Sequence, residues 1–244
     1  MTGNLAPATT RHMDGPIVSL TSLDLRFEPA RWRFADERRA EIEAHFEKLR
    51  GETPELWNGR LLLLSRWAID GSVFRGAYLE TDFASLIAWR DFGFPDTTIF
   101  NCFGMAALRS ADGAYLLGEM APSTANDGRI YFPAGTPDPE DIRDGAVDLA
   151  GNVTRELAEE TGLTADDVEA AAEWTCIRVG QRIALMRAMQ ARENADTLRN
   201  RMLDHIARDP HQELSDIHVV RGPRDVDPQR MPPWITAYFA HLWG

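Results

Sequence analysis

Apolar side chains recur along this chain at two periods, and the alternation between them predicts most of its elements. Residues 31–49, RWRFADERRAEIEAHFEKL, place apolar groups at helical spacing and predict a helix. Residues 60–67 form a near-continuous apolar run, and a second run over 73–79 follows Asp70-Gly71, which predicts two strands joined by a turn. Helical spacing returns over 82–90, and Phe94-Pro95-Asp96 then breaks the chain. Ordered structure is expected to begin with the apolar run over 16–20.

The second half repeats this strand and helix alternation. Strands are predicted over 98–109 and 114–120 about a turn at Asp112-Gly113. A loop over 122–128 leads to a short strand at 129–132, a further loop over 136–145, and a helix over 149–161. Residues 173–190 read as a hairpin turning at Gly180-Gln181, 193–208 as a helix, 217–220 as a strand and 234–243 as a closing helix. The class is α/β in the broad sense, α+β in detail. The pattern predicts an N-terminal α+β extension over 1–95, with 1–15 disordered, and a second domain over 96–244.

The helix over 149–161 carries the chemistry. Glu156, Glu159 and Glu160 are related by three and four residues and share one stripe, where like charges repel. A hard divalent cation such as Mg²⁺ takes carboxylate oxygens and relieves that repulsion. Leu157 points away from the stripe, and Gly162 stands where a helix ends.

The run Arg155-Glu156-Leu157-Ala158-Glu159-Glu160-Thr161-Gly162-Leu163 resembles the second half of the Nudix hydrolase signature. Phe132-Pro133-Ala134-Gly135 is similar to the Phe-Pro-Gly-Gly with which that signature opens. The first half departs from the pattern. Gly135 and Arg155 lie 20 positions apart, six more than the family spacing, so the signature's remaining Glu, counted back from the arginine, falls on Val147. Asp148 stands one place off as a substitute. A weaker likeness, in Leu56-Trp57-Asn58-Gly59-Arg60-Leu61, Leu79-Glu80-Thr81-Asp82-Phe83, Trp89-Arg90-Asp91-Phe92 and Asp148-Leu149-Ala150-Gly151, is to the UDP-sugar-cleaving branch.

The resemblance implies the Nudix fold, a mixed sheet flanked by helices in an α/β/α sandwich, and hydrolysis of the pyrophosphate bond of a nucleoside diphosphate joined to another group, above all a nucleoside diphosphate sugar. It implies Glu156, Glu159, Glu160 and the Gly135 carbonyl as ligands of Mg²⁺, with Mn²⁺ as a substitute, and Arg155 as the residue that orients a glutamate. Glu213 is the candidate late-loop carboxylate, with Asp216 in reserve and His211 as a second candidate base. Arg129 is a candidate phosphate clamp, and Trp89 and Trp174 are candidates to stack on a base. The altered first half of the signature supports a second reading, a non-catalytic nucleotide sensor that keeps the fold.

Composition narrows the partners. A net charge of −12 disfavours nucleic acid and anionic membranes and suits a protein that handles phosphates through cations. Cys102 and Cys176 form no disulfide framework and read as buried thiols. No apolar run reaches membrane-span length, and MTGNLAPATTRHMDG has no signal-peptide core, so a cytoplasmic protein is expected, with a homo-oligomer left open.

Overall fold

In the computed structural model, which describes residues 15, 17–210 and 213–244, the apolar runs become two mixed sheets and, among the described residues, six α-helices. The expected disordered tail lies outside those residues, except for Gly15. The first half comprises β1 (Val18–Leu20), β2 (Ser22–Phe27), α1 (Arg33–Glu37), α2 (Arg39–Glu52), β3 (Arg60–Asp70), β4 (Val73–Asp82) and α3 (Phe83–Asp91). The second comprises β5 (Asn101–Arg109), β6 (Tyr115–Met120), β7 (Ile130–Tyr131), β8 (Ala134–Gly135), β9 (Ile142–Arg143), β10 (Ala146–Val147), α4 (Leu149–Thr161), β11 (Val168–Val179), β12 (Arg182–Ala191), α5 (Ala195–Ile206), β13 (Leu214–Val220) and α6 (Pro233–Trp243).

The larger sheet runs β1-β11-β12-β5-β6-β13, with β7 added to β6 and β8 to β5. Its central pair, β5 and β12, is parallel, and its other pairs are antiparallel. Buried parallel strands are apolar on both faces, and β5 shows it. Cys102, Ala106 and Leu108 join the cluster that holds Leu149, Val153 and Leu157 of α4 and Leu198 and Met202 of α5. Phe103, Met105 and Ala107 join the cluster that holds Ile235, Tyr238 and Phe239 of α6. The result is the expected helix, sheet and helix layering.

The smaller sheet runs β3-β4-β2-β10-β9. Leu61, Leu63 and Leu79 pack under α1, α2 and α3. Leu62, Leu64, Phe74 and Tyr78, alternating with them, enter the same cluster as α4 and β5. Backbone bonds at 2.9 and 2.8 Å tie Leu64 to Phe100, and the Tyr78 hydroxyl donates to the Cys102 carbonyl at 3.1 Å.

Two expectations change. The helix over 31–49 is broken at Arg38, whose backbone (φ −113°, ψ 23°) leaves the helical region, so that Phe34 and Ala35 of α1 and Ile42 and Phe46 of α2 reach one core from two directions. The loop over 136–145 is not free. It holds a short 3₁₀ turn at Pro139–Asp141 and the β9–β10 hairpin. Asp144 (φ 50°) and Gly145 (φ 78°) turn that hairpin, the backbone a two-residue hairpin loop requires, and β10 pairs with β2.

Candidate functional site

Helix α4 is positioned by what its ends and its buried face need. Asp148 caps its N-terminus, accepting from the Gly151 amide at 2.9 Å, and Gly162 ends it in the left-handed region at φ 71°. His205 of α5 meets the Glu159 carbonyl with Nε2 at 2.8 Å, which satisfies one of the helix's terminal acceptors. Beneath the helix lies Gly104 of β5, where a Cβ would stand 2.3 Å from Val153 Cγ2. Glycine there lets α4 lie close on the sheet and brings its glutamate stripe against β8.

That stripe sits at Gly135. A Cβ on Gly135 would stand 2.2 Å from Glu156 Oε1, so the glycine backbone and the carboxylate share one recess. Glu160 is buried, 7% exposed; its Oε1 accepts from the Ala134 amide at 3.2 Å, and its Oε2 is buried without a partner. Burial raises the Glu156 carboxyl to about 7, with Glu159, Glu213 and Asp141 adding to the rise against the opposing pull of Arg155. Burial raises Glu160 well above the carboxylate range, helped by the charges of Glu156 and Glu213. Glu159 is exposed and turned to Arg155, at 3.1 Å. An orphaned buried oxygen beside crowded carboxylates is an environment that a divalent cation fits.

Arg155 is half-buried among four acids: Glu156 at 3.0 Å, Glu159 at 3.1 Å, Asp141 at 3.2 Å and Asp138 at 3.4 Å. Burial opposes its charge, but Glu156, Asp141, Glu159 and Asp138 outweigh that and raise its pKa. Sequence reasoning missed Asp141. It is 5% exposed, accepts from Asn152 Nδ2 at 2.9 Å and from the Asp138 amide at 3.0 Å, and receives Arg155 as well. The signal was present: Asp141 follows Gly135 after five residues, the signature's own spacing counted forward rather than backward. Val147, reached by the backward count, is a buried strand residue at 5% exposure, and Asp148 is spent on the helix cap.

The remaining candidates divide. Glu213 immediately precedes β13, and its carbonyl accepts from the Ala121 amide at 2.9 Å. It is exposed as a residue, yet the protein around its carboxyl raises its pKa, with Glu159 and Asp209 adding to the rise. Asp216 is elsewhere: it pairs with Arg199 at 2.7 Å and lies with Glu119 and His218. Those three are the one group among the described residues whose potential ligand atoms all lie within 4.8 Å; Glu156, Glu159 and Glu160 do not form such a group. Glu119 is already paired, with His218 at 2.7 Å and with Arg230. His211 lies outside the described residues. Trp89 is fully buried, its indole donating to the Asp96 carbonyl at 2.8 Å, and Trp174 is buried with the Arg187 guanidinium 5.4 Å above its ring; neither can stack on a base.

A cavity of about 1430 Å³ opens beside Gly135 and Ala134. Its floor is β5, and its walls are α3 and α6, so both halves of the chain build it. Arg129 lines it, with Nη1 donating to the Gln229 carbonyl at 2.9 Å, and Arg90 and Arg182 line it too. No helix among the described residues is long and apolar enough to cross a membrane.

No protein-family model matches the chain, and no curated protein matches it in sequence. Solved structures resemble it, three of them as follows. RenU, a Nudix hydrolase from M. smegmatis, is 18% identical over 59% of this chain and 86% of its own, with a TM-score of 0.40. The MutT protein of Methanosarcina mazei Go1 is 16% identical over 58% of this chain and 91% of its own, at 0.38. The E. coli ORF135 protein is 18% identical over 59% of this chain and 89% of its own, at 0.34. At such scores the weight falls on the side chains of the chain itself.

Proposed function

We propose that this protein is a divalent-cation-dependent pyrophosphohydrolase, cleaving the phosphoanhydride of a nucleoside diphosphate joined to a second group, above all a sugar. The observation that carries the reading is the buried, unpartnered Glu160 Oε2 among crowded carboxylates, against the Ala134-Gly135 segment that lines a large cavity. Glu156, Glu159, Glu160 and the Gly135 carbonyl would hold Mg²⁺, or Mn²⁺ in its place. When bound, the cation offsets the charge of the diphosphate and acidifies a water.

The chain's own groups do the rest. Glu213, whose carboxyl is raised by its surroundings, accepts the proton of the water that attacks phosphorus, and the anhydride P–O bond breaks. Arg155 fixes the Glu156 and Glu159 carboxylates against Asp141 and Asp138, so that their geometry is set before substrate arrives. Arg129 at the cavity wall receives an outer phosphate.

The test is a hydrolysis screen with Mg²⁺ and then Mn²⁺ over UDP-glucose, ADP-ribose, NADH, coenzyme A and nucleoside triphosphates. Turnover of a diphosphate-linked class is expected, with Glu159→Gln and Glu160→Gln each lowering it by on the order of a hundredfold or more at unchanged fold. Wild-type turnover in both variants would remove the metal assignment.

A further inference from the structure

The cavity is larger than a pyrophosphate needs, and its walls say what the remainder is. Ligand pockets commonly run to about 1,000 Å³ at most, and this one reaches about 1430 Å³. In that lining the Arg182 guanidinium lies 4.9 Å from the Phe94 ring centroid and 5.6 Å from that of Trp234. Phe94 belongs to the first half of the chain, Arg182 to β12 and Trp234 to α6, so this stack joins three segments remote in sequence.

Phe94 is held there at a conformational cost. Its φ is +60°, a value bulky side chains avoid, and it precedes Pro95, which further restricts its backbone. Its amide donates to the Trp89 carbonyl at 2.8 Å, and its ring packs edge-on against Trp89 at 4.7 Å. Backbone strain of this kind persists where the surroundings impose it and clusters at ligand sites.

We propose that the cavity between α3 and α6 takes the nucleobase of the substrate, stacked on the wall formed by Phe94, Arg182 and Trp234, with Arg90 of α3 meeting the diphosphate. This assignment rests on the phosphoanhydride reading of the glutamate site. Bases stack on aromatic rings and guanidinium planes, and amides read their edges; Asn101 and Asn126 line the same cavity. A prenyl or acyl tail would strip water from these arginines and amides without compensating them. A sugar has no π-face to lie against the Arg182 guanidinium plane. Arg90 lines the same cavity, its Nε donating to Asp91 Oδ1 at 2.8 Å, which leaves the other guanidinium nitrogens to meet a phosphate.

The experiment is calorimetric binding of UMP, AMP, GMP and CMP with Mg²⁺, against inorganic phosphate as the probe without a base. None of these is a phosphoanhydride, so turnover does not intrude. At least one nucleotide is expected to bind about tenfold or more tightly than phosphate. Arg182→Met should remove that margin and leave phosphate binding unchanged, and Arg182→Lys, which keeps the charge but loses the plane, should restore it only in part. Nucleotides binding no more tightly than phosphate would overturn the proposal, as would a margin that survives Arg182→Met in a variant of native circular dichroism. Geranyl diphosphate binding more tightly than every nucleotide would give the cavity to a lipid tail instead. A silent hydrolysis screen with Arg182-dependent nucleotide binding would sink the hydrolase reading and leave the base site standing. Turnover of a nucleoside diphosphate derivative with a KM that Arg182→Met does not move would do the reverse.

Discussion

At the scale of single residues, the site depends on how little room Gly135 leaves. A methyl group there would stand 2.2 Å from Glu156 Oε1, the far end of a flexible side chain, so the carboxylate would give way and the backbone would not. Gly135→Ala is therefore expected to lower turnover much more than stability, read as an unchanged melting temperature beside a reduced kcat. Asp141 is the opposite case. Its carboxylate, 5% exposed, accepts from Arg155, Asn152 and the Asp138 amide in bonds that are buried or part-buried. Asp141→Ala leaves those donors short of an acceptor and is expected to cost about 1–3 kcal/mol, visible as a lower urea midpoint at unchanged m-value. It should also release Arg155 onto Glu156 and Glu159, so kcat should fall with it. A variant with native stability and native kcat would show that Asp141 does neither job.

At the scale of elements, the difference between what was legible and what was not turns on the β9–β10 hairpin. The helix α4 was legible to the residue, because its glutamate stripe and its glycine stop are local signals, although Asp148 reads in the sequence as a substitute signature acid and not as the cap it is. The stripe's role in charge crowding was legible for the same reason. Asp141 was hidden because thirteen residues separate it from Arg155 where the signature has seven, and the extra six are the hairpin over 142–147. Counting back from Arg155 lands inside the insertion; counting forward from Gly135 does not. Asp144-Gly145 is itself a hairpin signal, obscured by the prolines and acids around it. Trp89 and Trp174 failed as base partners because their burial is a tertiary fact that their flanking residues do not announce. The hairpin gives its own test. Gly145→Val puts a β-branched residue at φ 78°, a strain of about 1–2 kcal/mol. It should weaken the pairing of β10 with β2 and loosen Asp141 at the other end of the segment. Loss of stability and of turnover together is expected in urea and rate measurements; turnover untouched by a destabilised hairpin would separate the insertion from the site.

At the scale of the whole molecule, the two sheets share more than a boundary. Phe94-Pro95-Asp96 reads in the sequence as a break between units. Yet Leu25, Leu62, Leu64, Phe74 and Tyr78 from the first unit, none above 4% exposed, are part of the cluster that holds α4 and β5. Burying each such side chain contributes about 1.5–3 kcal/mol. Five of them together are worth roughly 8–15 kcal/mol on that scale, as much as the entire stability of an ordinary domain. Residues 96–244 expressed alone would expose this surface beside the glutamate helix and lose the α3 wall of the cavity as well. The fragment is expected to lack a cooperative thermal transition and a near-ultraviolet dichroism signal. Adding back the first unit as a separate chain should restore both only if the two associate through that surface. A fragment that melts cooperatively on its own and still cleaves a diphosphate would mean that the first unit is a detachable addition, and that the cavity's second wall contributes nothing to the reaction.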